Sequence, residues 1–207
     1  MDQAIAELFE LAFDEDDVVV ELADEELLFT KQPLGSLTVT SGNLMVGDPF
    51  EERNELLLTE TFPTGEFPVE AALAEFEDGE EVIGYVRILF SPHPPTRWEP
   101  AQYAGENAMM SALIASGIHG LADASVLKHL QSLNDEQREA VHDDLHTALD
   151  DILEENRAWA NHAFEENNLI VCTSGDGEGT YTSYIGRDQE GNICRLLTDF
   201  ALFEEDE

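Results

Sequence analysis

Apolar residues recur at helical spacing at Ile5, Leu8, Phe9 and Ala12, which predicts a short amphipathic helix over residues 3–13. The acids from Asp14 to Asp17 crowd the negative end of that helix dipole and predict a break. Val18 to Leu22 is a β-branched run and reads as a strand. Gly35 to Thr40 and Asn43 to Val46 read as two more, joined by a Ser41-Gly42 turn and closed by Asp48-Pro49. Pro63, Gly65 and Pro68 punctuate a loop before Val69 to Phe76. Val82 to Phe90 is the strongest strand pattern in the chain, and Asp78-Gly79 before it fits a turn.

The middle changes character. Ser91 to Pro100 carries four prolines in ten residues, and Ala101 to Ser116 is rich in small residues and Met. Gly117 and Gly120 bracket an expected turn. From Asp123 to Glu166 the spacing is helical. Asp123 is placed to cap Ala124 to Leu133, and Asn134 to cap a second helix with Gln137 at the capping-box position. Val141, Leu145, Leu149, Ile152 and Leu153 form its apolar stripe, opposite an acidic face. Strands return at Leu169 to Thr173, Thr180 to Gly186 and Asn192 to Phe200, the last two as a hairpin around Arg187 to Gly191. Strands, then helices, then strands predict an α+β fold with a central, mostly antiparallel sheet and a helical middle segment. The expected organisation is an acidic N-terminal extension with a short helix over 1–30, a single domain over 31–203, and an acidic tail over 204–207.

Charge changes the picture most. The 207 residues hold 46 acids and 9 bases, a formal net charge of −37. Residues 1–29 carry 11 acids and the last four residues are all acidic, with no base in either stretch. What remains is 31 acids against 9 bases, a net of −22, so the acidity is spread over the fold. Direct binding to nucleic acid or to an anionic membrane needs a basic face, which 2 Lys and 7 Arg are too few to build. Three explanations compete: a solvated surface suited to a salty cytoplasm, a polyanionic face for a basic partner, and a cation-binding surface. No acidic run shows the loop spacing the third would need. No apolar run approaches the roughly 20 residues of a membrane span. The N-terminus lacks a basic start and small-residue cleavage site, so a cytoplasmic protein is expected.

Few groupings point to chemistry. The loop Ser174-Gly175-Asp176-Gly177-Glu178-Gly179, with Tyr181 beyond it, follows a strand and offers amides to a ligand. It lacks the Lys and the following helix of a phosphate loop, and its acids repel phosphate, so a structural turn competes with a ligand loop. His142 and His146 lie four apart on a helix, with Asp150 one turn on, which makes a weak metal candidate. Half-exposed solvated histidines are the competing reading. His93 and His119 read as loop histidines. Ser174 lacks the elbow of a serine nucleophile. Cys172 and Cys194 lie in strands and read as buried thiols.

Several pieces together resemble a known family. They are Ser41-Gly42 with Gly47-Asp48-Pro49-Phe50, Phe62 to Val69, Trp98 with Ala101, Ser174 to Tyr181, then Tyr184, Gly186, Gly191 and Asp199-Phe200. In order and spacing they resemble the bacterial domain of unknown function 4241 family, over about residues 35–203. Asp176 stands where that family has an aromatic residue, and Glu178 where Asp is usual. Gly117-Ile118-His119-Gly120 is shorter than the family segment and lacks its Asp, while Asp123-Ala124 matches the family pair. The resemblance implies a common fold and carries no activity, cofactor or site with it.

Two functions follow as expectations. The first is a non-enzymatic, immunity-like binding protein whose acidic surface engages a basic protein, with no cofactor. The second is a hydrolase or small-ligand site near the glycine loop, built from Asp48, Asp123, Glu178 and Asp199. Convergence of those four acids in one concavity would favour the second. Acids spent on turns and caps would favour the first.

Overall fold

The computed structural model describes residues 3–14, 18–22, 25–51, 53–105, 109–150 and 158–202. Val82 to Phe90 behaves as its pattern predicts. Glu81–Leu89 (β5) pairs with Gly65–Glu75 (β4) through a tight turn, in which Gly79, at φ +87°, donates its N–H to the Phe76 carbonyl. The last hairpin is also as expected, Gly179–Arg187 (β11) against Ile193–Asp199 (β12). β12 then pairs with β5 and joins the two hairpins into one sheet.

The strands form two antiparallel sheets, where the sequence predicted one central sheet. Add Val18–Leu22 (β1), Glu25–Val39 (β2), Arg97–Pro100 (β6) and Ser111–Ile114 (β7). The larger sheet then runs β1-β2-β4-β5-β12-β11-β6, with β7 also on β11. The smaller runs Leu44–Gly47 (β3), Ile118–Asp123 (β8), Asn167–Thr173 (β10) and Trp159–Phe164 (β9). Ala124–Ser132 (α2) and Asp135–Asp150 (α3) lie between β8 and β9 in the chain. The architecture is strand-rich and α+β in broad terms.

Alternation along the strands builds the layers. Leu37, Ile88 and Leu196 of the larger sheet meet Leu44, Leu121 and Ile170 of the smaller in one core. The opposite face of the smaller sheet, Met45, Ala122 and Val171, packs with Leu127, Leu145 and Leu149 of the two helices. The outer face of the larger sheet, Phe29, Ala72, Tyr85 and Leu197, packs with Leu8, Phe9, Ala12 and Phe13. Those four come from Gln3–Leu11 (α1) and the turn after it. Residue 30, the expected end of the extension, falls inside β2.

Two local expectations are corrected, and two connections differ from the simplest reading. The Ser41-Gly42 turn joins its two strands as expected, but β2 pairs with β4 and β3 with β8, so it carries the chain between sheets. The Asp123 carboxylate, accepting from Thr40 and Ser41, holds it there. Gly117 to Gly120 belongs largely to strand β8, where a turn was expected. The helical spacing to Glu166 breaks at β9. Pro33 hid the first half of β2, since a residue without N–H fits a ladder only at an irregularity, and the register does shift between Pro33 and Gly35. Ile152 and Leu153 lie outside the described residues.

Candidate functional site

Asp123 caps α2 as its position predicts. One oxygen accepts from the Ser125 N–H at 2.9 Å and hydroxyl at 2.7 Å. The other accepts from the Thr40 and Ser41 N–H groups at 2.9 and 2.8 Å and from the Ser41 hydroxyl at 2.9 Å. Burial alone would raise its pKa; the bonds from Ser125 and Ser41 outweigh burial and hold the carboxyl below its ordinary value. Asp48 is equally committed. It is buried, and accepts from the Phe50 N–H at 3.0 Å and from the Ala115 and Ser116 N–H groups at 3.0 and 2.8 Å.

These two carboxylates stand at opposite ends of one strand pair, since Asp123 faces Leu44 and Gly120 faces Gly47, just before Asp48. Asp199 accepts from the Ala201 N–H at 2.9 Å. Glu178 is exposed on the glycine loop. Three of the four thus bond to backbone at turns or a cap.

The glycine loop closes on itself. The Gly177 N–H donates to the Ser174 carbonyl at 2.7 Å, and the Ser174 hydroxyl returns to the Gly177 carbonyl at 2.7 Å. The Tyr181 hydroxyl donates toward both carbonyls, at 3.2 and 3.0 Å. The Gly175 N–H goes to the Ile83 carbonyl. Two of the loop's amides, those of Gly175 and Gly177, are thus bonded within the protein, which closes the loop as a tight turn. It leaves Asp176 and Glu178 exposed.

His142 and His146 flank Phe50. His146 stacks on that ring at 4.4 Å and 4°, and His142 meets it edge-on at 5.1 Å. Among the described residues no three His, Cys, Asp or Glu are grouped to hold a metal ion. The Asp150 side chain lies outside them. His93 borders a cleft of about 320 Å³ with Asp188 and Glu190.

Two groupings escaped sequence reasoning. One is a buried chain of polar side chains between the sheets. The Tyr103 and Ser183 hydroxyls are 3.1 Å apart, Ser183 and Thr198 2.9 Å, and Thr198 and His119 Nε2 3.2 Å. Burial drives the His119 pKa down to about 3, so the ring is neutral. Burial likewise pushes the Tyr103 hydroxyl up to about 12, and the Cys172 thiol, opposite His119 in the ladder, up to about 12.

The other is a cleft of about 400 Å³ at the β4–β5 turn, lined by Glu26, Phe76, Glu77, Asp78, Glu80 and Asp176. Asp78 shapes it, its carboxylate accepting from the Glu80 N–H at 3.0 Å. Glu75 and Glu81 face each other where the two strands meet the turn, a like-charge pair that opposes its own ladder. Phe76 to Glu80 is one short run of the chain, but only the pairing of β2, β4 and β5, with the glycine loop beside them, brings Glu26 and Asp176 to the same acidic edge.

The model of a family described as "Protein of unknown function (DUF4241)" matches residues 37–198. The chain belongs to this family. No curated protein and no solved structure matches. The DUF4241 match spans Asp48, Asp123, the polar chain from Tyr103 to His119 and the whole glycine loop. It leaves out α1, β1 and most of β2, and with them Glu26 of the acidic cleft.

Proposed function

We propose that the protein is a non-enzymatic, immunity-like binding protein of the cytoplasm that engages a basic protein through its acidic surface. The observation that carries this is the cleft at the β4–β5 turn. Among the described residues, five of the six that line it are acidic, the sixth is Phe76, and no Lys or Arg lines it. A lysine or arginine from a partner gains there from several carboxylates at once, and its aliphatic stem or guanidinium packs against a half-buried ring. The net charge of −37 adds long-range attraction that speeds encounter with a cationic partner. The hydrolase reading draws on Asp48, Asp123, Glu178 and Asp199, of which Asp48, Asp123 and Asp199 accept from backbone N–H groups.

The test is capture from native lysate with identification by mass spectrometry, run on three proteins in parallel. The wild type should retain basic proteins that high salt elutes. The triple variant Glu77→Lys, Asp78→Lys, Glu80→Lys should lose them by on the order of tenfold or more. A control, Asp143→Lys with Asp144→Lys on the exposed face of α3, should keep them. Capture that ignores the turn variant, or retention of no basic protein, rejects the proposal.

A further inference from the structure

In a chain with only 9 bases, two guanidinium groups are buried together on the outer face of the larger sheet. Arg87 of β5 and Arg195 of β12 are only 6 and 5% exposed. Charges so placed need close acids, because desolvation is expensive. Glu70 of β4 serves Arg87, its Oε2 accepting from Nε at 3.0 Å and from Nη2 at 2.8 Å. The second acid comes from α1. Glu10 Oε1 lies 3.2 Å from Arg87 Nη1 and 3.4 Å from Arg195 Nε, and its Oε2 lies 3.5 Å from Arg195 Nη2.

Beside this clamp is an aromatic cage. Phe9 is fully buried, with its ring centroid 5.6 Å from Tyr85, 5.3 Å from Trp98 and 5.0 Å from Tyr184. Two successive residues, one aromatic and one acidic, thus fill two adjoining subsites. The receiving groups, Glu70, Tyr85, Arg87, Trp98, Tyr184 and Arg195, all lie within the family match at 37–198, and α1 lies outside it. The charged and aromatic groups that meet Phe9 and Glu10 thus belong to the matched region, while Leu27 and Phe29 of the same apolar cluster lie outside it.

We propose that this surface is a binding site for an aromatic-acidic peptide segment of a partner, and that α1 occupies it as a built-in ligand. A nine-residue helix is too short to persist alone in water, where about 12–15 residues are marginal, so α1 holds its shape by docking. Its undocking is a local opening that bares the cage and the clamp without unfolding the sheet. A tethered ligand acts at millimolar effective concentration, so a partner segment must displace it or find it weakened. The site is separate from the acidic cleft and has the opposite salt response. The protein's net charge repels an acidic segment at long range, while the buried arginines attract it at contact. Salt screens the first more than the second, so binding here strengthens with salt, whereas basic-partner binding weakens.

The experiment uses the full chain and a fluorescent peptide of residues 1–14, read by polarisation. The variant Phe9→Ala with Glu10→Gln should bind the probe at least about tenfold more tightly than the wild type, whose own α1 competes. A probe carrying Glu10→Gln should bind that variant at least about tenfold more weakly, since it removes the carboxylate that bridges Arg87 and Arg195 and leaves Arg87 with Glu70 alone. A folded variant that binds the probe no better than the wild type, or equally well without Glu10, overturns the proposal. Native-state hydrogen exchange on the wild type decides if the variant does not fold. Amides of α1 that open well before those of β5 and β12 uphold the docking, and amides that exchange only with global unfolding make α1 an ordinary core element and overturn it.

Discussion

Gly175 holds φ +50°, and a Cβ there would begin 3.0 Å from the Phe200 Cβ and 3.1 Å from its carbonyl oxygen. Gly177 holds φ +116°, but a Cβ there meets nothing within 4 Å. Both replacements by Ala incur backbone strain of about 1–2 kcal/mol, and Gly175→Ala adds a contact that backbone must yield to. Thermal melts should therefore rank Gly175→Ala below Gly177→Ala, and equal melts would show that the Phe200 contact relaxes freely. The need for positive φ was legible in the glycine spacing; which glycine packs against Phe200 was not. His119 shows the same limit. Its nearest polar partner, Thr198, is 79 residues away, and nothing local marks it as buried. Its folded pKa of about 3 lies below the ordinary value of 6.5. Between those values the unfolded chain takes up a proton that the native state refuses. The stabilisation from a neutral His119 is therefore complete above the ordinary value and drains away as pH falls toward 3, at about 1.4 kcal/mol per pH unit. Urea unfolding of the wild type and of His119→Gln from about pH 4.5 to 7.5 isolates this slope, because their carboxylates are shared. A stability difference that does not change with pH would falsify the assignment.

At the scale of elements, what was legible was local. The Asn134 cap with Gln137 is realised in both directions, at 2.9 and 3.1 Å, because donor and acceptor lie three residues apart. Asp123 was readable as a cap for the same reason. Its second role, bonding Thr40 and Ser41 more than eighty residues back, was not. At the Ser41-Gly42 turn, Asp123 leads the chain away from β2 and into the other sheet. Likewise β9 was masked by spacing that continues the apolar stripe of α3. Asp123→Asn tests the dual role. An amide offers one accepting oxygen where the carboxylate offers two, and turns an NH₂ toward groups that are themselves donors. The loss should be about 2–4 kcal/mol by chemical denaturation, more than a cap alone, which is worth about 1 kcal/mol. A loss near the cap value would mean that the crossing between sheets is held elsewhere.

At the scale of the whole molecule, the sequence revealed how much charge there is, and the fold shows where some of it sits. Two of the nine bases, Arg87 and Arg195, are buried against Glu10 and Glu70 and do little for the surface. Glu26, Glu75, Glu77, Asp78, Glu80, Glu81 and Asp176 gather at one end of the larger sheet instead. Folding brings these acids together and unfolding spreads them, so their repulsion opposes the native state. At an ionic strength of about 0.01 M the Debye length is about 30 Å and nearly all acids in the fold interact; at about 1 M it is about 3 Å and only neighbours do. If screening recovers about 2–3 kcal/mol of the marginal stability of a domain, the melting midpoint should climb by about 5–10 °C between about 0.01 and 2 M KCl. Removing residues 1–29 would be a poor control, because it would strip Phe9 and Glu10 from the aromatic cage and the arginines. The better comparison neutralises the turn, with Glu77→Gln, Asp78→Asn and Glu80→Gln, and repeats the melts. If the acidic edge concentrates the repulsion, this variant should melt higher at low salt and gain less from KCl. A midpoint flat with salt in both proteins would sink the repulsion account. A wild-type slope that the variant fully keeps would place the repulsion across the whole surface, as salt adaptation requires, and leave the turn free of any special electrostatic burden.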